Sequence, residues 1–290
     1  MRINNNNMAL NTTRQLGINV NNVAQNNERL SSGRRINRAA DDAAVVSISA
    51  RMQGQIRGTT TASRNIQDAI SLLQTAEGGM QTIQNSLHRV RELAVQSASD
   101  TNQNLDRQMI DSEVGQLIEN IDQVARSTEY NTMQLLDGSY AESGLTIQAG
   151  ANYGDTVQVS IPPMTSEGLG LTGDALNDDF GAVDGQGADR VNVLSQGNAA
   201  SAISAADNAL NSVSMQRAEL GAMQNRLEFR NQNLAIQAEN TTAAQSRMAD
   251  TDMAQEMTAR TANNLRSQFS TAILAQANTT SQGVLQLLMR

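Results

Sequence analysis

The chain has 290 residues, a formal net charge of −8, 2% aromatic residues, no Trp, no Cys and two Pro. The acidic balance argues against a general binder of polyanions, and the lack of cysteine excludes disulfides, thiolate nucleophiles and thiolate-held metals. All 21 Lys+Arg residues are Arg, which rules out lysine modification; compositional drift and the better planar pairing of Arg at interfaces both account for the bias.

Without large rings, a core must come from Ala, Leu, Ile, Val and 13 Met, a set suited to thin seams between helices. The two prolines stand together at Pro162 and Pro163, so long uninterrupted helices are expected elsewhere. The opening MRINNNNMAL carries one Arg and four Asn where a signal peptide would hold its apolar centre, so no cleaved export signal is expected. No apolar run approaches the roughly 18 residues that span a bilayer, and no membrane insertion is expected. Leu10, Leu16, Val20, Val23 and Leu30 then mark an amphipathic helix with no local partner for its apolar face.

LSSGRRINRAADDAA, residues 30–44, groups Arg34, Arg35 and Arg38 with Asp41 and Asp42. It admits three readings: a basic patch, a carboxylate pair for a metal, or a structural joint. The arginines lack interleaved aromatics, and two carboxylates follow them at once. The aspartates lack the further converging ligands a divalent ion wants, the sole histidine, His88, being far along the chain. A joint that pairs internally or with neighbours accounts for all five residues. Neither metal nor cofactor is expected.

The clearest periodicity runs from Ile66 to Ala94. Ile66, Leu73, Met80, Leu87 and Ala94 fall seven apart, with Ala69, Ala76, Ile83 and Val90 three residues after the first four. That is a heptad seam, on a helix of about 40–45 Å over this segment; Gly78 and Gly79 weaken it locally without breaking register. The polar turn SDTNQN (99–104) leads to a second seam at Ile110, Val114, Leu117, Ile121 and Val124, and the short loop makes the two helices antiparallel. The period then changes to 2: Leu145, Ile147 and Ala149, a GANYG turn, and Val157, Val159 and Ile161 predict a β-hairpin. Residues 168–197 lack periodicity and read as irregular connection. A third seam follows at Ile203, Ala206, Leu210, Val213, Leu220 and Leu227, fading to Leu234. Leu265, Phe269, Ile273, Leu274 and Ala277 mark a last amphipathic stretch before GVLQLLMR, with its apolar Val284, Leu285, Leu287 and Leu288. The terminal helices need each other, or other copies of the chain.

These readings make a mainly α protein: a long antiparallel coiled-coil-like bundle built from both chain ends, with a small β-hairpin region and discontinuous domains. No nucleophile elbow, phosphate-binding loop or dinucleotide fingerprint is present, HRVRE is not a zinc-protease motif, and His88 reads as a surface helix residue. Nothing supports enzymatic activity.

The strings MRINNN…ALNT, LSSGRRINRAADDAA, MQGQIRG, DAISLLQTAEGGM, RVRELAVQSASDTN and EYNTMQLLDGS, then AELGAMQNRLEF, ADTDMAQEM, ILAQAN and QGVLQLLMR, resemble bacterial flagellin in order and spacing. The resemblance covers the chain except about residues 168–197. It implies an inner terminal helical domain, 1–44 with 250–290, lining a filament core and including a spoke at 30–44. An outer bundle and hairpin, 45–167 with 198–249, and a short surface connection at 168–197 with no further outer domain complete the expectation. It also implies a subunit exported unfolded through the flagellar type III channel, which polymerises into the extracellular filament used for swimming. Its expected partners are other copies of itself, an export chaperone, an assembly factor, the filament cap and hook-associated junction proteins, with no nucleic acid. A hook–filament junction protein shares the helical termini and a similar early motif, but INRAADDAA and QGVLQLL favour flagellin. Receptor-activating flagellins use an Arg and a Leu in a segment like LHRVRELAVQ and a Glu on the next helix. These match Arg89, Leu93 and Glu113, giving the vertebrate flagellin-sensing Toll-like receptor as a further implied partner. Arg89 and Leu93 are four apart, on one helix face away from Leu87, Val90 and Ala94, and are expected outside the bundle.

Overall fold

The computed structural model describes residues 6–172 and 190–288, with the side chains of 281–288 excepted. In chain order they form α1 (Asn7–Ser32), α2 (Ala43–Ser97), α3 (Asn104–Ser127), β1 (Glu129–Tyr130), β2 (Met133–Gln134), β3 (Leu145–Gln148), β4 (Thr156–Val159), α4 (Gln196–Ala249) and α5 (Met253–Leu288). At 55 residues α2 is about 80 Å long. The chain forms two compact units, Met1–Ile56 with Glu239–Arg290, and Arg57–Ala238.

The Arg57–Ala238 unit holds the apolar core. All nine residues expected of the first seam, from Ile66 to Ala94, are buried. Polar pairs beside the seam fix the helix directions. Ser86 with Asn120 and Arg89 with Glu113 run α3 antiparallel to α2. Ser63 with Asn231, and Arg91 with Asp207, do the same for α4. The α3 seam differs from expectation. Ile110, Val114, Ile118, Ile121 and Ala125 are buried, while Leu117 and Val124 are only partly so. Their spacing follows the 3.6-residue turn of a straight helix and not the 3.5-residue repeat of a strict supercoil. On α4 the expected Ala206, Leu210, Val213, Leu220, Leu227 and Leu234 are buried, and Ile203 is half-buried. Gln216 joins them, donating from Nε2 to the Ser160 carbonyl at 3.3 Å.

The hairpin forms as expected: β3 pairs antiparallel with β4, Leu145 opposite Val159 and Ile147 opposite Val157. Its buried side chains are Val157 and Val159, with Ala149 and Ile161 just beyond the strands. A second, unanticipated hairpin joins β1 to β2 through Asn131 and Thr132, both at positive φ (51° and 65°). A two-residue turn of that hand favours Asn-Gly, and a β-branched Thr there is strained, so nothing in the dipeptide announces it. Of the connection expected at 168–197, residues 173–189 lie outside the described residues; Thr172 and Arg190 on either side bridge antiparallel.

The other unit is built differently. Helix α1 runs antiparallel to α5, and its only buried residues are Asn19 and Asn26. Gly33 ends α1 in the left-handed conformation (φ 69°), its N–H donating to the Arg29 carbonyl at 2.8 Å.

Candidate assembly interface

Within the α1–α5 pair, polar groups face inward. Asn19 Nδ2 donates to Ser270 Oγ at 3.2 Å and Asn263 Nδ2 to Asn26 Oδ1 at 2.9 Å. Asn26 Nδ2 also donates to the buried Glu256 carboxylate, with Arg29 3.9 Å from the same oxygen. At the far end Asn6 Nδ2 reaches the Ala277 carbonyl at 3.0 Å. The large apolar side chains face outward: Met8, Leu10, Ile18 and Val20 on α1, and Met253, Met257, Leu265, Phe269 and Ile273 on α5, are all exposed. Leu16, Val23 and Leu30 are half-buried beside the seam. Of the expected terminal residues only Ala277 is buried and Leu274 is half-buried, while Leu10, Val20, Leu265, Phe269 and Ile273 find no cover within one chain. Val284, Leu285, Leu287 and Leu288 lie on α5 with side chains outside the described residues.

The joint at residues 30–44 is held by backbone partners. Arg34 bridges Asp250, Arg35 N–H donates to the Ala249 carbonyl at 2.8 Å, and Thr251 N–H to the Gly33 carbonyl at 3.0 Å. Arg35 Nη2 donates to the Met248 carbonyl at 2.8 Å. Arg38 makes a forked pair with Glu28, Nε to Oε1 at 3.0 Å and Nη2 to Oε2 at 3.1 Å. The aspartates serve the chain's own turns. Asp41 Oδ2 accepts from Asn37 N at 3.1 Å and Arg38 N at 3.0 Å. Asp42 Oδ1 accepts from the N–H groups of Ala44 and Val45, both at 3.0 Å, capping α2. The Arg38 and Asn37 amides hold the Asp41 carboxyl below its usual range. Of the joint expected to pair internally or with neighbours, Arg35 and Arg38 thus find partners beyond the cluster and the aspartates accept from amides of their own turns, with no Arg–Asp side-chain pair among these five residues. Beside the joint a hollow of about 200 Å³ is lined by Ile36, Val45, Val46 and Ala50, and the buried Asn37 Nδ2 at its edge has no hydrogen-bond partner among the described residues.

The three residues of the implied receptor site divide. Arg89 Nη2 meets Glu113 at 2.9 Å and its Nη1 meets Glu92 at 3.1 Å, both at the surface. Leu93 is only 2% exposed, which corrects the expectation of an outward position. A residue four positions from Arg89 still turns about 40° around the helix, and with α3 and α4 both against α2 the buried arc is wide enough to take it.

Sequence reasoning missed the polar seam. Its signal was present: Asn19 and Asn26, and Glu256, Asn263 and Ser270, recur at the same seven-residue interval as the apolar seams. Among the described residues no three His, Asp or Glu converge as for a metal, and no helix is long and apolar enough to cross a membrane.

Long helices from both chain ends, an apolar core in one unit, and a terminal pair with its apolar faces turned outward define a helical subunit made to associate. The family comparisons agree. Residues 3–141 match the bacterial flagellin N-terminal helical region and residues 203–288 the C-terminal helical region. The chain is 44% identical to a flagellin of Halalkalibacterium halodurans over 288 residues, covering 99% of this chain and 100% of that protein. It is 42% identical to a flagellar filament 30.7 kDa core protein of Treponema maltophilum, again over 99% and 100%. A hook-associated protein structure from Vibrio parahaemolyticus shares the fold alone: TM-score 0.57 at 14% identity, covering 72% of this chain and 99% of that one. The chain belongs to the bacterial flagellin family, whose members are structural proteins. It is a structural subunit that polymerises into the flagellar filament, and the junction-protein reading is not favoured.

Proposed function

We propose that α1 and α5 are the principal polymerising surface, with an inner domain of residues 1–44 and 250–290 forming the filament core and 45–167 with 198–249 standing outside it. The observation that carries this is the inversion of the terminal pair, polar groups inside and Leu10, Val20, Leu265, Phe269 and Ile273 outside. Each such side chain contributes roughly 1.5–3 kcal/mol once fully buried, and a neighbouring subunit is what can bury it. Contacts that repeat head to tail without closing generate a helical filament. The joint at 30–44 spends Arg35, Asp41 and Asp42 on backbone groups of its own chain and Arg38 on Glu28, so it holds α1 relative to α5 and leaves the adjacent hollow for a neighbour.

By the same family reading the subunit is exported unfolded and ends outside the cell. On the way it meets an export chaperone, an assembly factor, the filament cap and hook-associated proteins. The Arg89–Glu113 surface is the proposed contact for the vertebrate receptor, with Leu93 supporting it from beneath.

The test is polymerisation of a Val20→Asp, Phe269→Asp double variant, followed by sedimentation and negative-stain microscopy, with circular dichroism to check the apolar bundle. We expect a folded subunit that makes no filaments. Normal filaments from this variant would overturn the assignment.

A further inference from the structure

The polar seam of the terminal pair has a geometry beyond what assembly requires. Asn26 sits between Glu256 and Asn263, which are seven residues apart, and bonds both. One heptad along, Asn19 bonds Ser270, again seven residues beyond Asn263. Asn26 therefore occupies the gap between two successive heptad positions of α5, like a knob in a hole of a coiled coil but made from polar residues, and Asn19 repeats the contact at Ser270 one heptad on. The apolar residues offer no such discrimination: Leu10, Val20 and Phe269 are turned outward, and Leu16, Val23 and Leu30 beside the seam are seven apart, so a one-heptad slip puts one aliphatic side chain where another was.

We propose that this Asn/Glu/Ser seam is a register lock for α1 against α5. Its role is to set the axial alignment of the two helices, and with it the spacing of the outward apolar residues that the filament repeats, while adding little to the strength of pairing. Slipping α1 one heptad toward Ser270 takes Asn26 away from Glu256 and leaves that buried carboxylate short of a donor. Slipping it the other way puts Asn19 at Glu256, but carries Arg29 past it. Both slips move one helix about 10 Å along the other. Either slip takes Asn26 off at least one of its two bonded partners, the kind of penalty by which a single buried Asn selects register in coiled coils.

The inference rests on the subunit polymerising, and the experiment separates the two. The chain has no cysteine, so Gln15→Cys and Ala254→Cys place spin labels only at two exposed positions staggered along the pair. Labelled subunits are assembled at low fraction into unlabelled wild-type filaments, and their separation is read by pulsed electron paramagnetic resonance. With the native seam we expect one distance. With Asn26→Leu and Glu256→Leu, which replace both partners by apolar groups, we expect incorporation to continue and a second distance to appear, shifted by up to about 10 Å. Exchanging the pair, Asn26→Glu with Glu256→Asn, retains a hydrogen-bonded layer and should restore the single distance. One unshifted distance in the apolar variant, its exclusion from filaments, or two distances in the exchanged variant would each overturn the lock. Failure of the labelled native chain to polymerise at all would count instead against assembly through these helices.

Discussion

Arg190 reaches across to Asp111 on α3, Nη2 to Oδ2 at 2.6 Å, while Asp111 Oδ1 accepts from Val193 N at 3.0 Å. One carboxylate thus ties the strand-like segment before α4 to the helix bundle. Removing it leaves a buried backbone N–H and a half-buried guanidinium without their acceptor. We expect Asp111→Ala to lower the stability of the bundle by about 2 kcal/mol, and Arg190→Ala by less, since Arg190 is partly solvated. Urea unfolding of both variants is the measurement; equal losses, or none, would show that the carboxylate does not organise this segment.

Adjacent glycines on α2 should respond in opposite directions. A methyl group at Gly78 meets nothing within 4 Å, whereas one at Gly79 falls 2.6 Å from Thr128 Oγ1 and 2.8 Å from Leu136 Cδ1. Gly78→Ala should therefore stabilise the helix by up to about 1 kcal/mol. Gly79→Ala should destabilise by about 1–3 kcal/mol through overpacking. Thermal unfolding distinguishes them, and a shared sign of shift would contradict the packing described.

Asp41 and Asp42 divide a titration from a cap. The Asp41 carboxyl titrates below its ordinary value of 3.8 because two backbone amides hold the charged form. A depressed folded value means that its support of the 37–42 turn is present above the ordinary value and is lost as the pH falls through the lower one. Carbon-13 NMR of the side-chain carboxyls should place the Asp41 midpoint below that of an unstructured peptide, and a midpoint at or above it would refute the bonding. Asp42→Ala, by contrast, should cost about 1 kcal/mol at neutral pH through the lost cap of α2, visible as fraying in amide exchange at Ala44 and Val45.

The proposed receptor contact makes distinct predictions for Arg89 and Leu93. Arg89→Ala removes a surface cation paired to Glu113 and Glu92, and should leave the melting temperature nearly unchanged. Truncating an interface Arg costs about 2 kcal/mol, roughly thirtyfold in activation of reporter cells by the free subunit. Leu93→Ala should lower stability by about 2–5 kcal/mol, because it opens a cavity in the bundle. Undiminished potency of the Arg89 variant would remove this surface from consideration.

The α1–α5 pair of the free subunit should be the first part cut by a protease. Its seam exchanges water hydrogen bonds for protein ones with small net gain, and its large apolar groups are left in solvent. Limited proteolysis should remove α1 and α5 from free subunits while sparing Arg57–Ala238, and filaments should resist. Equal resistance of the pair in free subunits would argue that the seam is strong by itself.

On α2 and α4, where the apolar period runs over several heptads, the sequence alone determined which seam residues are buried. Ile66 to Ala94 and Val213 to Leu234 are buried as the heptads require, and Leu145 to Ile161 folds as a hairpin because alternation admits no other half-buried form. The terminal motifs were equally legible, being particular strings and not merely a period. What tertiary structure decided are matters of direction and partner. Ile118 replaces Leu117 in the α3 seam because neighbouring positions on a helix differ by 100° and only the packed neighbours choose between them. Leu93 is covered because two helices flank α2, a fact no local pattern encodes. Asp42 caps a helix, and Arg38 finds Glu28 before any aspartate, since charge pairing depends on distances the linear order does not contain. Above all, the terminal helices pair through Asn19, Asn26, Glu256 and Ser270 and turn Phe269 outward. An amphipathic pattern states that an apolar face must be buried, and only the fold reveals that one chain half-covers Leu16, Val23 and Leu30 and leaves Leu10, Val20, Leu265, Phe269 and Ile273 in solvent.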